Sequence, residues 1–151
     1  MARTRWLDSE EMKAWRAYIT TSVDLMKALE QDVDRFGITM GDYQLLAMIS
    51  EAPDRRVRLC DLAEQLRLTR SGLTRRLDGV LSSGLVARRP DSTDKSVAFA
   101  ELTSKGWNLL RRAAPVHLES VRRLMIDHLS RAEIKALGNA FTRIEKNLRE
   151  I

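Results

Sequence analysis

Apolar side chains recur near the start of the chain at Met12, Trp15, Ile19, Val23, Met26, Leu29 and Val33, in steps of three and four that mark one helical face. Asp8, with Glu11 three residues later, supplies a cap and a capping box at the start. Gly37 supplies the stop. The pattern predicts one helix from residue 8 to about 35. At about 1.5 Å per residue it runs roughly 40 Å. A small domain cannot cover that length, so the apolar face predicts packing on a partner.

Thr39 and Asp42 open a second helix carrying Tyr43, Leu45, Leu46 and Ile49, and Pro53 blocks its continuation. Arg56-Val57-Arg58 reads as a short strand. Leu59, Leu62, Ala63 and Leu66 give a helix of about two turns. After a brief connection ending at Leu68, Thr69 caps a helix that buries Leu73, Leu77, Val80 and Leu81 and stops at Gly84. The pattern then changes. Leu85 to Arg89 and Val97 to Leu102 are strand-like and flank a turn-rich stretch, Pro90 to Asp94, so they predict a β-hairpin, the one clear sheet signal. Thr103 opens a further helix through Trp107, Leu110, Val116, Val121 and Leu129, with Pro115 inside it predicting a kink or a short break. Ser130 and Glu133 form another capping box. Ile134, Leu137, Phe141, Ile144, Leu148 and Ile151 follow at spacings of 3, 4, 3, 4 and 3, a heptad-like seam. It is too short to stand alone as a coiled coil and suits one helix of a dimer interface. Packing onto the first helix of the same chain is the alternative.

Charge adds a location. Residues 55–95 hold ten Lys and Arg against five Asp and Glu, while the rest of the chain carries sixteen of each sign, so the whole net charge of +5 sits in this segment. A concentrated basic segment points to a polyanion; on charge alone a solvated surface fits equally well. The order of elements narrows the reading. A short helix, a tight turn, a basic helix and a hairpin form the DNA-reading unit of a winged helix-turn-helix. With Leu73 and Leu77 facing the core, Arg70, Ser71, Thr74 and Arg75 turn outward. Arg reads guanine with two hydrogen bonds, and Ser and Thr contact bases or phosphates. The free N–H groups beyond Thr69 suit a phosphate, and Gly72 allows close approach. Arg56, Arg58, Arg76, Arg88 and Lys95 are the expected phosphate contacts, the last two on the hairpin as a wing. Double-stranded DNA is the expected partner.

From Val57 through Leu66, then Leu68 through Asp78, Gly84-Leu85-Val86, Arg88-Arg89-Pro90-Asp91, Asp94, Leu102-Thr103 and Gly106, the sequence resembles the MarR family, the multiple antibiotic resistance regulators. The resemblance implies a mainly α (α+β) fold in one domain spanning residues 1–151. Residues 8–36 and 103–151 would form the dimerisation helices, residues 39–102 the winged helix-turn-helix, and residues 86–102 the wing. It implies a homodimer held through Trp6, Leu7, Trp15, Ile134, Leu137, Phe141, Ile144 and Leu148. It implies a ligand-responsive repressor on a near-palindromic operator. A small aromatic or phenolic effector would sit between the lobes, with Trp15, Tyr18, Met48 and His117 as liners. One departure stands out. The family's wing reads Asp-x-Arg, whereas this chain has Asp94-Lys95-Ser96, so Ser96 takes the arginine's place and weaker wing binding is expected unless Lys95 substitutes.

Other classes are disfavoured. Hydrophobic residues make up 44% and charged residues 31%, a globular balance. No apolar run approaches the ~20 residues of a membrane span, and the N-terminus lacks the apolar stretch of a signal peptide, so a cytoplasmic location is expected. His117 and His128, placed on one helix after the wing, lie 11 residues apart with no completing Cys or carboxylate pattern. Neither a metal, a cofactor nor an enzyme is expected. Cys60, at the start of a helix where a thiol's pKa falls, leaves thiol-based redox sensing as an alternative. A dimeric interaction module without specific DNA binding is the other.

Overall fold

The computed structural model describes residues 4–94 and 96–150. Helix α1 spans Ser9–Asp34. Asp8 accepts hydrogen bonds from the N–H groups of Glu10 and Glu11, each at 2.9 Å, and Glu11 accepts from Asp8 N–H at 3.0 Å. Gly37 takes a φ of +73° and turns the chain out of the helix. Helix α2, Met40–Glu51, starts on the Thr39–Asp42 capping box. Pro53 then opens a single 3-10 turn that leads into β1, Arg56–Arg58. Two helices joined by a tight turn follow as α3, Leu59–Gln65, and α4, Arg70–Ser82. The hairpin is β2, Val86–Pro90, with β3, Ala98–Leu102. Helices α5, Ser104–Leu124, and α6, Arg131–Arg149, complete the order.

The hairpin does not stand alone. The strands form one antiparallel sheet in the order β1-β3-β2, with Val57 opposite Ala100 and Val86 opposite Leu102. These four residues are buried. The sheet turns them to the core, and by alternation Arg56, Arg58, Phe99, Glu101 and Arg89 share its outer face. The core beneath is built from Leu45, Leu46 and Ile49 of α2, Leu62 of α3, Val80 of α4 and Val33 of α1, all fully buried. Truncating any one of these leucines to alanine costs about 2–5 kcal/mol.

Two expectations for the later helices change. α5 runs through Pro115 without a break. Pro115 and Arg111 both lie on the exposed side, where water can satisfy the carbonyl that the proline leaves unbonded. The chain breaks instead at Met125, at φ −135° and ψ −64°, and a 3-10 turn over Ile126–His128 separates α5 from α6. His128 is therefore not on α5, and Leu129 lies in the connection. Among the described residues, no helix is long and apolar enough to cross a membrane.

The junction of α1, α2 and α5 carries a polar pair in an otherwise apolar setting. Asp32 is buried and accepts from Arg35 at 3.0 Å. His117 packs against Tyr43 with ring centroids 4.6 Å apart and the rings tilted by 51°, and its Nδ1 is buried without a partner. Burial pushes the His117 pKa down from 6.5, against a smaller opposing pull from Asp32. A lowered folded-state pKa means that stability is present above the ordinary value and is lost as the pH falls through it. Denaturant titrations should show the protein weakening between about pH 7 and 5, and His117→Gln should flatten that slope. An equally steep slope in the variant would assign the loss to other groups.

Candidate nucleic-acid interface

The turn between α3 and α4 solves a backbone problem without glycine. Arg67 takes a φ of +54°, where its N–H donates to Glu64 C=O at 3.0 Å and the N–H of Leu68 donates to Ala63 C=O at 2.9 Å. Glycine usually fills this role at a helix end. The Arg67 side chain pairs with Glu145 of α6, which also pairs with Arg149 at 2.9 Å. The turn of the reading unit is thereby tied to the last helix.

Thr69 then caps α4, its hydroxyl accepting from Gly72 N–H at 3.1 Å. Leu73, Leu77 and Val80 are buried, and Arg70, Ser71, Thr74 and Arg75 are exposed along the opposite side. This is the face expected from the spacing. The Thr74 hydroxyl donates to Arg70 C=O at 3.0 Å, so its hydrogen is spent within the helix and its lone pairs are left to accept.

Two α4 residues depart from expectation. A Cβ at Gly72 would lie 3.2 Å from Thr69 Oγ1 and 3.6 Å from Leu68 Cβ. The position a Cβ would take at Gly72 faces the helix's own cap, so the missing side chain relieves the turn. Arg76 is half-buried, with its guanidinium lying over Gly41 of α2, where a Cβ would come within 1.1 Å of Nη1. It lines a cleft with Glu30, Thr39 and Asp42. Arg76 therefore leaves the set of free phosphate contacts.

On the sheet, Arg58 and Arg88 are exposed and Arg89 lies 3.9 Å from Glu101. Arg56 is only partly open. Its guanidinium lies over the Phe99 ring at 3.8 Å and faces Asp91 at 3.9 Å. The wing tip folds on two aspartates. Asp91 accepts three hydrogen bonds from Thr93 and Asp94, and the Thr93 hydroxyl is the largest cause holding its carboxyl at about 2. Asp94 accepts from Ser96 N–H at 2.9 Å and from the Ser96 hydroxyl at 2.6 Å. Ser96, in the place of the family's arginine, is thus spent on folding the tip. Lys95 lies outside the described residues.

The other expected sites separate. Trp6, Leu7, Trp15, Phe141, Ile144 and Leu148 are exposed and Ile134 and Leu137 half-buried, while no α6 residue is buried in the chain. Tyr18 links α1 to α6 through Phe141, with centroids 5.6 Å apart. The four expected effector-pocket residues lie on α1, α2 and α5. Trp15 and Tyr18 belong to this exposed face, Met48 packs on the core, and His117 sits against Tyr43. Cys60 is exposed and its thiol donates to Asp61 at 3.2 Å. Sequence reading missed Arg67, Gly41, Phe99 and Asp91. Of these only Asp91 had a local signal, a Pro-Asp-Ser-Thr run that favours a side-chain-closed turn.

The MarR family's sequence profile matches residues 38–96, from the start of α2 to the wing tip. The fold as a whole superposes on the crystal structure of AbsC, a MarR family transcriptional regulator from Streptomyces coelicolor. The TM-score is 0.94 with 36% identity, over 98% of this chain and 100% of that one. The chain belongs to the MarR family. A second MarR family regulator from the same organism, Sco3205, was solved in complex with DNA; it is 34% identical with a TM-score of 0.92, over 98% of this chain and 93% of that one. The transcriptional repressor YetL of Bacillus subtilis is 25% identical over 141 residues, 91% of this chain and 84% of that protein. This MarR-family chain is a transcriptional regulator, and its relatives are regulators and not enzymes.

Proposed function

We propose that this MarR-family regulator is a cytoplasmic repressor that binds a near-palindromic operator in duplex DNA as a homodimer. The observation that carries the DNA contact is the outward face of α4, where Arg70, Ser71, Thr74 and Arg75 stand together at the helix start, with Arg58 and Arg88 also exposed on the sheet. The first turns of such a helix present side chains to base edges in the major groove. Arg70 and Arg75 suit guanine, Arg58 and Arg88 suit phosphates. The DNA complex of Sco3205 and the repressor name of YetL support the same reading. The exposed apolar residues of α1, α5 and α6 supply the dimer region, and two reading heads must then sit about 34 Å apart to reach successive major grooves. An effector acts on such a dimer by favouring one spacing of the heads over another.

Fluorescence anisotropy with the duplex from upstream of its own gene tests this, against a scrambled duplex at near-physiological salt. A gap of about a thousandfold or more is expected. Equal weak binding to this and to every duplex recovered by selection would end the sequence-reading role. Arg75→Ala should weaken binding by about tenfold and relax one base preference, whereas Arg88→Ala should weaken all sequences alike and reduce the salt slope by about one. An unchanged slope for Arg88→Ala would remove Arg88 from the interface.

A further inference from the structure

Asp91 divides its carboxylate between two tasks. Oδ1 accepts from Thr93 N–H at 2.9 Å, the Thr93 hydroxyl at 2.6 Å and Asp94 N–H at 3.1 Å, and so folds the wing tip. Oδ2 is left facing the Arg56 guanidinium at 3.9 Å. Arg56 in turn lies over Phe99, 3.8 Å from the ring centroid, with Nε buried and without a hydrogen-bond partner. The three residues come from different segments. Arg56 is in β1, which runs directly into α3; Phe99 is in the central strand β3; Asp91 opens the tip beyond β2. A guanidinium stacked on a ring with one edge enclosed is held in place and must leave that ring to reach a phosphate.

We propose that Arg56 and Asp91 are a positioning pair: acting across Phe99, they fix the wing tip to the root of the reading helices and set how the wing meets DNA. Neither binds phosphate itself. This rests on the wing touching DNA, a reading that Arg88 reports on separately. At 3.9 Å and partly open to water, the ion pair is long and screened and adds little to folding stability, so the pair shows in DNA affinity and not in the melting temperature.

The test is an anisotropy salt series on the tightest duplex recovered by selection, with Asp91→Asn, Arg56→Met, the double variant and Arg88→Ala. Asparagine keeps the oxygen that folds the tip and puts an N–H₂ donor before Arg56, so it breaks the link alone. Removing a negative charge beside DNA should tighten binding if charge alone matters. The positioning pair gives the opposite: Asp91→Asn binds about threefold weaker at an unchanged melting temperature. Arg56→Met weakens binding without lowering the salt slope, and the double variant is no worse than the worse single one. The proposal is overturned if Asp91→Asn binds as tightly as the parent or tighter. It is also overturned if Arg56→Met costs the same in both backgrounds and lowers the slope by about one, as a phosphate contact would. If Arg88→Ala binds like the parent, the wing itself leaves the interface and the pair goes with it. If Arg88→Ala weakens binding and Asp91→Asn does not, the pair alone fails.

Discussion

Gly106→Ala is expected to leave a protein that melts about 10 °C lower or fails to accumulate folded. A Cβ at this position would lie 2.1 Å from the carbonyl oxygen of Leu85 and 2.8 Å from Leu102 Cδ1. The first of these is backbone and cannot rotate away. Thr103 holds the two segments together at that point. Its N–H donates to Leu85 C=O at 3.1 Å and its hydroxyl to Gly84 C=O at 2.7 Å, while the same hydroxyl accepts from Gly106 N–H at 3.0 Å. Relief therefore requires α5 to lift from the turn between α4 and β2, which breaks these bonds and opens the core at Leu110. Overpacking of this kind costs about 3 kcal/mol or more, a large share of the roughly 5–15 kcal/mol that holds a domain folded. Thermal and urea melts of the variant check it. A melting temperature equal to the parent's would mean that the helix has room that the structure denies it.

Phe141→Glu combined with Ile144→Glu is expected to convert a dimer into a folded monomer and to cut operator affinity by about 10²–10⁴. Phe141, Ile144 and Leu148 are 41%, 51% and 57% exposed in the single chain, and Trp6 is 83% exposed. A contiguous apolar surface of this kind marks a partner surface. Two carboxylates placed there must either be desolvated without partners or keep the second copy away. Since neither residue is buried in its own chain, far-UV circular dichroism should stay as in the parent while sedimentation reports the smaller species. A monomer retains one reading head, so weak binding to a half-site should persist while the gain from joining two heads is lost. A variant that sediments as a dimer and binds like the parent would place the dimer interface elsewhere.

Much of the fold follows from short-range signals. The capping boxes at Asp8 and Ser130 each close over three residues, and the structure forms both, with a third at the helix start read at Thr39. The step from Leu73 to Leu77 is enough to turn Arg70, Ser71, Thr74 and Arg75 outward, because residues four apart share a helical face whatever packs against it. The apolar stripe on α1 and the seam on α6 are legible for the same reason, although the end of the α1 stripe, Leu29 and Val33, is buried in the chain's own core. The resemblance pointed to Leu102-Thr103 and Gly106, but the need for glycine there is a matter of which backbone crosses it, and Leu85 lies 21 residues away in sequence.

What the chain alone determined, then, are the elements, their buried faces and the helix whose outward face carries Arg70 and Arg75, since capping and periodicity act within one or two turns. Tertiary structure decided where the long cationic side chains go. Arg56, Arg58, Arg76 and Arg88 look equivalent as letters in a basic segment. Phe99 and Asp91 draw in the first, Gly41 leaves room for the third, and the other two stay open to solvent. A flexible arginine has many rotamers of similar energy, so contacts supplied by segments far away in sequence select among them. The pairing of β1 with β3 and the unbroken helix through Pro115 were decided in the same way, by which surfaces the assembled core left next to one another.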